Sequence, residues 1–275
     1  MHRDLPCPPF ESLTPQPWTL PDGAVLNAVR AGSGTPLVFI HGAMGDWRSW
    51  APQWPEFTAR YNCISYSRRF CYPNPNRMPA PHHSAVEEAE DLRQLLDAMG
   101  LDRVILVGSS YGGFTALAVA APQRVRALVS VEAPMMKYAA RVPGGSEAAA
   151  AFRAGDDELA ARLMTGGIQG SKPPTDNDAN MRRRMDNMLA MKRLALSSDE
   201  FPLLAPEDLA APPMPVMLLS GANTAPVHRA VFTGVCAAMP QARRLVVAGS
   251  GHGVAREQPA VFNRAVLEFL REHGL

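Results

Sequence analysis

The sequence predicts an α/β fold: a central, mostly parallel β-sheet flanked by helices, with one helical insertion. Three observations predict it. Short apolar runs recur along the chain and alternate with helical patterns, which is the rhythm of βαβ units. One such run, Arg103-Val104-Ile105-Leu106-Val107, leads into Gly108-Ser109-Ser110-Tyr111-Gly112-Gly113 and then into an Ala-rich stretch over 114–121, giving a strand, a sharp turn and a helix. From about 134 to 211 no strand-like run occurs, and the alternation resumes after Pro212-Pro213. The division that follows is a core of 1–133 and 212–275 with a helical cap of 134–211.

In order, residues up to Pro17 read as an irregular arm, and 18–31 as a hairpin about Asp22-Gly23, a pair that favours the tight primed turn. Pro36-Leu37-Val38-Phe39-Ile40 is a buried strand that ends at His41-Gly42-Ala43-Met44-Gly45. Residues 47–60 read as a helix, in whole or part, with Trp47, Trp50, Trp54 and Phe57 packing on the sheet. A strand over 61–66, Arg68-Arg69 and a proline-rich loop come next. The helix over 84–99 opens with a Ser84/Glu87 capping box and has Val86, Leu92, Leu95, Leu96 and Met99 as its apolar face, with Gly100 as its stop. After the Gly108–Gly113 turn and its helix, residues 126–131 form a strand ending at Glu132-Ala133-Pro134.

The insertion holds helices over 147–153, 156–164 and 179–196 and a loop over 166–180. It is rich in methionine, with Met181, Met185 and Met188 on one helical face and Arg182-Arg183-Arg184 on a solvated one. The end of the chain reads as strand 215–220, helix 227–239, strand 243–248 and helix 259–273.

A chain of 275 residues with 47% hydrophobic and 19% charged residues can bury a full core as an ordinary globular protein. The net charge of +1 provides no footprint for nucleic acid or an anionic membrane. No run approaches the ~18 apolar residues of a membrane helix, and residues 1–14 lack the apolar core of a signal peptide. Cys7, Cys63, Cys71 and Cys236 lack metal-ligand spacing and read as reduced thiols, in keeping with a cytoplasmic location. No metal cluster or dinucleotide fingerprint implies a cofactor. The expected partner is a small-molecule substrate, and the expected state is a monomer or homodimer.

The chemistry converges on three glycine-bearing turns. Ser110, with glycines two before and two after, sits where a tight turn lifts a side chain above the sheet edge, as a nucleophile elbow does. Gly249-Ser250-Gly251-His252-Gly253 follows the last strand, and His252 is the candidate base, since a serine hydroxyl needs one to take its proton. The loop His41-Gly42-Ala43 ends the earlier strand. Backbone N–H groups of Ala43 and Tyr111 are the candidate oxyanion donors, each worth ~3 kcal/mol. His41 is expected to hold its loop, and His2, His82, His83, His228 and His273 lack a comparable setting.

These residues, together with Trp50-Ala51-Pro52, Ser65-Tyr66-Ser67-Arg68-Arg69 and Tyr72-Pro73-Asn74-Pro75, resemble the α/β-hydrolase superfamily over 24–274, in particular its small capped bacterial serine hydrolases. The resemblance implies a triad in the order Ser, acid, His and a pocket under the cap. It also implies an acid in the loop after the strand that follows the cap. Here that loop is Gly221-Ala222-Asn223-Thr224-Ala225-Pro226, which has no carboxylate. Glu132 is the substitute, because it ends the strand after the elbow helix, a place some superfamily members use. The competing assignments are a hinge anchor for Glu132, a dyad without an acid, and an acid from the cap such as Asp199 or Glu200.

Met44, Trp47, Phe114, Met135 and Met188 are the expected pocket lining, which favours a small to medium apolar acyl substrate. Arg68 and Arg69 are expected in salt bridges or loop support, with contact to an anionic substrate as the other option. The leading expectation is a cofactor-free hydrolase of an ester, lactone or related carbonyl through an acyl-enzyme. The alternatives keep the fold and triad for carbon–carbon hydrolysis, lyase, cyclase or transferase chemistry, or for a small-molecule receptor with little turnover.

Overall fold

The computed structural model describes residues 9–77, 84–120, 123–135, 145–169, 179–197 and 212–275. Its centre is a sheet of eight strands: β1 (Gln16–Thr19), β2 (Val25–Ala31), β3 (Pro36–Ile40), β4 (Asn62–Tyr66), β5 (Val104–Ser109), β6 (Val125–Val131), β7 (Val216–Gly221) and β8 (Arg243–Val247). Their spatial order is β1-β2-β4-β3-β5-β6-β7-β8. β1 and β2 form the antiparallel hairpin, with Gly23 at φ 87° in its turn. β2 meets β4 antiparallel, and every later pairing is parallel.

Both faces of the sheet are covered, and the alternation along each strand divides its side chains between two cores. Val38 and Ile40 join one core with α2 (Ala85–Ala98), α3 (Tyr111–Val119) and α8 (Pro226–Ala238). Leu37 and Phe39 join the other with α1 (Trp54–Thr58), α9 (Val254–Glu257) and α10 (Pro259–Glu272). The tryptophan stripe belongs to this second core, where Trp50 stacks on Phe39 at 4.8 Å between centroids. It is divided between a 3₁₀ turn, Trp47–Trp50, and α1. Pro52 and Pro55 lack the N–H groups that one continuous helix would require.

α2 carries the expected capping box and ends before Gly100 at φ 65°. Its inner face differs from the expectation at Val86, which is 46% exposed. Glu88 and Asp91 point inward instead. Glu88 forms a buried ion pair with Arg68, and Asp91 accepts from Arg69 Nε at 2.7 Å. Arg69 also pairs with Asp22, so both arginines brace the loop after β4. Cys63, Cys71 and Cys236 are buried and form no disulfide among the described residues, and burial pushes Cys71 up to about 12. Cys7 lies outside the described residues.

Between β6 and β7 the chain makes α4 (Gly145–Ala154), α5 (Asp157–Gln169), α6 (Ala179–Asp186) and α7 (Met188–Leu196). They share an apolar cluster of their own around Phe152, Met164, Met181 and Met191. α5 runs past the loop start expected at 166, and the helix expected over 179–196 breaks at Asn187. That break separates Met188 from Met181, which is buried, and Met185, which is 36% exposed, so the three do not share a face. Asn187 Nδ2 donates to the buried Asp46 carboxylate at 2.8 Å, and Arg48 joins Asp46 to Asp186. This polar cluster ties the α6–α7 corner to the turn after β3. Among the described residues no helix is long and apolar enough to cross a membrane.

Candidate active site

Parallel pairing brings the ends of β3, β5, β6, β7 and β8 to one edge of the sheet. Register places Ile40 beside Gly108, Ser109 beside Val131, and Gly221 beside Val247. The residues that follow these strands therefore meet although they are far apart in sequence.

Ser110 sits between β5 and α3 with φ 53° and ψ −119°, a conformation that costs a non-glycine residue strain. Its N–H donates to Val131 O at 2.7 Å, and its carbonyl accepts from Gly113 N at 2.8 Å. Both flanking glycines are sterically required. A Cβ on Gly108 would lie 2.2 Å from Gly112 O, and one on Gly112 would lie 2.1 Å from Ile40 O.

Glu132 is the other described non-glycine residue at positive φ, 44°, and it directly follows β6. Its carboxylate is buried and accepts four hydrogen bonds. Ser220 Oγ (2.6 Å) and Gly221 N (2.9 Å) donate to Oε1; Thr224 Oγ1 (2.8 Å) and His252 Nδ1 (2.6 Å) donate to Oε2. The end of β7 and the loop after it, which have no carboxylate, thus supply donors to one that arrives from β6. Burial works to raise the Glu132 carboxyl. The hydrogen bond and charge of His252, then Ser220 and Gly221, outweigh it and leave the carboxyl below its ordinary value.

Donation from Nδ1 leaves Nε2 as the basic nitrogen of a neutral His252 ring. Nε2 is buried and makes no hydrogen bond. His252 and Ser110 line the same cavity of about 140 Å³, together with Ala43 and Met44. His41 also borders it, but both ring nitrogens are occupied: Nδ1 donates to Gly42 O (2.8 Å) and Nε2 accepts from Arg68 N (3.0 Å). Burial, with the Arg68 charge nearby, pushes His41 down to about 3, so it holds the loop as a neutral ring. Arg68 in turn lies 3.8 Å over the Tyr111 ring.

Four of the expected lining residues lie elsewhere. Trp47 packs against Phe10, and Phe114 and Met135 are buried in the first core. Met188 packs on the apolar cluster of the insertion. Each is drawn into a core by its apolar area, and Trp50, Ile168 and Ala255 take places on the wall. Arg183 and Arg184 line the cavity too, as does Arg256, so this part of α6 is not the expected solvated face. Asp199, Glu200, His82 and His83 lie outside the described residues.

His228 was not expected at the site. Its ring stacks on His252 with centroids 4.1 Å apart and planes 25° apart, and its Nε2 donates to Ile168 O at 2.7 Å. Burial and the neighbouring His252 push it down to about 4. The available signal was positional, since His228 falls in the first turn of the helix that leaves the Gly221–Pro226 loop. Glu132, His228 and His252 bring one ligand atom each within 4.8 Å of one another. Glu132 Oε2 and His252 Nδ1 are engaged with each other and His228 Nε2 with Ile168 O.

Known proteins share this architecture. The chain is 25% identical over 256 residues to Esterase YbfF of Escherichia coli (strain K12), covering 87% of this chain and 94% of the relative. It is 24% identical over 259 residues to Carboxylesterase YbfK of Bacillus subtilis (strain 168), covering 85% and 79%. The crystal structure of a hydrolase from Pseudomonas aeruginosa PA01 has the same fold, with a TM-score of 0.77 and 23% identity over 94% of this chain and 99% of that one. The sequence profile of the alpha/beta hydrolase family spans residues 37–265, from β3 into α10, and the chain belongs to that family.

Proposed function

We propose that the protein is a serine hydrolase of carboxylic esters or lactones, working through an acyl-enzyme with Ser110, His252 and Glu132 as its triad. The observation that carries this reading is the 2.6 Å bond from His252 Nδ1 to Glu132, which leaves Nε2 buried and unbonded in a cavity that Ser110 also lines. A base held in this tautomer takes the proton of Ser110 as Oγ attacks the carbonyl carbon. The N–H groups of Ala43 and Tyr111 receive the oxyanion, and the dipole of α3 adds to their field. Collapse breaks the C–O bond, and His252 returns the proton to the departing alcohol. Water, deprotonated by His252, then releases the acid and restores Ser110. Glu132 stays ionised throughout and stabilises the imidazolium. Helices α4 to α7 act as the cap, with Ile168 of α5 and Arg183 of α6 on the cavity wall.

The test is labelling with a fluorophosphonate and location of the adduct by mass spectrometry. The expected result is an adduct on Ser110 that His252→Ala abolishes, with ester turnover lost in Ser110→Ala. Ester turnover that survives Ser110→Ala overturns the assignment.

A further inference from the structure

An acidic side chain folds back onto the loop that carries His252. Glu257 closes α9, a single turn whose N-cap is Gly253. Its Oε2 accepts from Gly251 N at 2.7 Å, and its Oε1 accepts from Gly253 N at 3.2 Å. The two oxygens of one carboxylate thus take the N–H groups of the residues on either side of His252. Bonds of this kind, with an ionised acceptor, are stronger than those between neutral groups. The approach at Gly253 depends on the missing side chain, since a Cβ there would lie 2.7 Å from Glu257 Oε1 and 2.6 Å from Arg256 Nη2. The φ of Gly253, −90°, is open to any residue, so closeness and not backbone conformation calls for glycine. The loop is anchored in front by Asn223 N, which donates to Ser250 O at 2.8 Å. Behind, Arg256 N and Glu257 N both donate to Gly253 O at 2.9 Å.

We infer that Glu257 is a positioning residue for the base: its carboxylate fixes the backbone around His252, so that the imidazole reaches Glu132 and the hydroxyl of Ser110 together. The bond to Glu132 holds the ring at Nδ1 and the stack on His228 holds its face. Neither holds the backbone from which the ring projects. A ring fixed at Nδ1 alone can pivot and carry Nε2 away from Ser110, and a misplacement of about 1 Å can cost about a hundredfold in rate. Glu257 is not among the residues that line the cavity, so it acts on turnover through His252 and leaves substrate binding nearly alone. The inference rests on the proposed reading of Ser110 and His252 as nucleophile and base.

The test follows p-nitrophenyl acetate in Glu257→Gln and Glu257→Ala, with kcat counted per site titrated by a fluorophosphonate so that any misfolded fraction drops out. Glutamine keeps one acceptor oxygen and turns an amide N–H toward the other backbone donor. Its kcat is expected to fall about tenfold, the size of one charge-assisted hydrogen bond. Alanine removes both acceptors, and its kcat is expected to fall about a hundredfold. KM stays within about threefold in both. The downfield proton resonance of His252 Nδ1–H, identified by its absence in His252→Ala, gives a reading that needs no turnover, and it is expected to broaden or move in both variants. A role confined to loop stability would lower the titrated fraction and the urea midpoint but leave kcat per site and this resonance as they are. Kcat per site within about threefold of wild type in Glu257→Ala, or an unchanged resonance in both variants, overturns the inference and leaves the hydrolase reading standing. Absence of turnover and of a Ser110 adduct in the unaltered protein overturns the hydrolase reading, and the resonance then decides by itself whether Glu257 positions His252.

Discussion

Replacing Glu132 by glutamine isolates the carboxylate charge at nearly constant shape. Four donors converge on the carboxylate: Ser220 Oγ and Gly221 N at Oε1, and Thr224 Oγ1 and His252 Nδ1 at Oε2. A glutamine keeps its oxygen toward Ser220 and Gly221, and its amide then faces Thr224 and His252. The threonine hydroxyl can turn and accept. The imidazole can accept only by giving up the Nδ1 proton, which moves to Nε2 and leaves no lone pair for the proton of Ser110. The carboxylate that balances the imidazolium is lost in the same change. In a serine protease the equivalent change costs about 10⁴ in kcat, or about 5 kcal/mol of transition-state stabilisation. The same order is expected here in kcat for ester hydrolysis, with a parallel fall in the rate of fluorophosphonate labelling. Circular dichroism and a urea midpoint near wild type would show an intact fold. Turnover within tenfold of wild type in Glu132→Gln refutes the argument and removes Glu132 from the relay.

Three further outcomes follow from the geometry. Gly112→Ala forces a Cβ to within 2.1 Å of Ile40 O in the backbone of β3, so the urea midpoint should report a loss of about 3 kcal/mol; a neutral result would mean that the elbow is not clamped against β3. His228→Phe keeps a ring against His252 but removes the donor to Ile168 O, and His228→Ala removes both. Both should lose about 1–3 kcal/mol of stability, with the larger fall in kcat in the alanine variant, whereas equal kcat in the two would discount the stack. His41 and His228 are held at about 3 and about 4 in the fold, below their unfolded value near 6.5. Below that value the unfolded chain binds protons that the fold excludes, so stability falls as pH drops from about 6.5 toward those values. The depressed Glu132 acts in the same sense at lower pH, as its stabilisation is lost through its folded value. Urea unfolding at pH 7, 6 and 5 should lose up to about 1.4 kcal/mol per pH unit for each histidine, and a flat profile would contradict their buried, neutral state.

The α/β sheet was legible because its strands are continuous apolar runs separated by helices, and period-two burial leaves little freedom in placing Leu37, Val38, Phe39 and Ile40. The elbow was legible for a local reason, since Gly108 and Gly112 are demanded by atoms of their own turn and of β3. Lining residues were harder to read. Phe114 and Met135 look the same in sequence whether they face a cavity or a core, and the larger apolar area lay in the core. Arg183 and Arg184 resemble a solvated helix face until the position of α6 beside the cavity is known.

Chain order alone was enough for the fold class, the turn carrying Ser110, and the loop carrying His252, because each depends on neighbours within a few residues. The partner of His252 was not of that kind. Glu132 stood out by its place at a strand end, yet its link to His252 spans 120 residues and depends on β6 lying beside β7. The end of β7 and the loop after it then turn Ser220, Gly221 and Thr224 toward a carboxylate they do not themselves carry. The stacking of His228 and the gathering of three arginines around the cavity are likewise products of packing. A side chain's chemistry is written in its residue type, but its surroundings are set only when distant segments have closed around it.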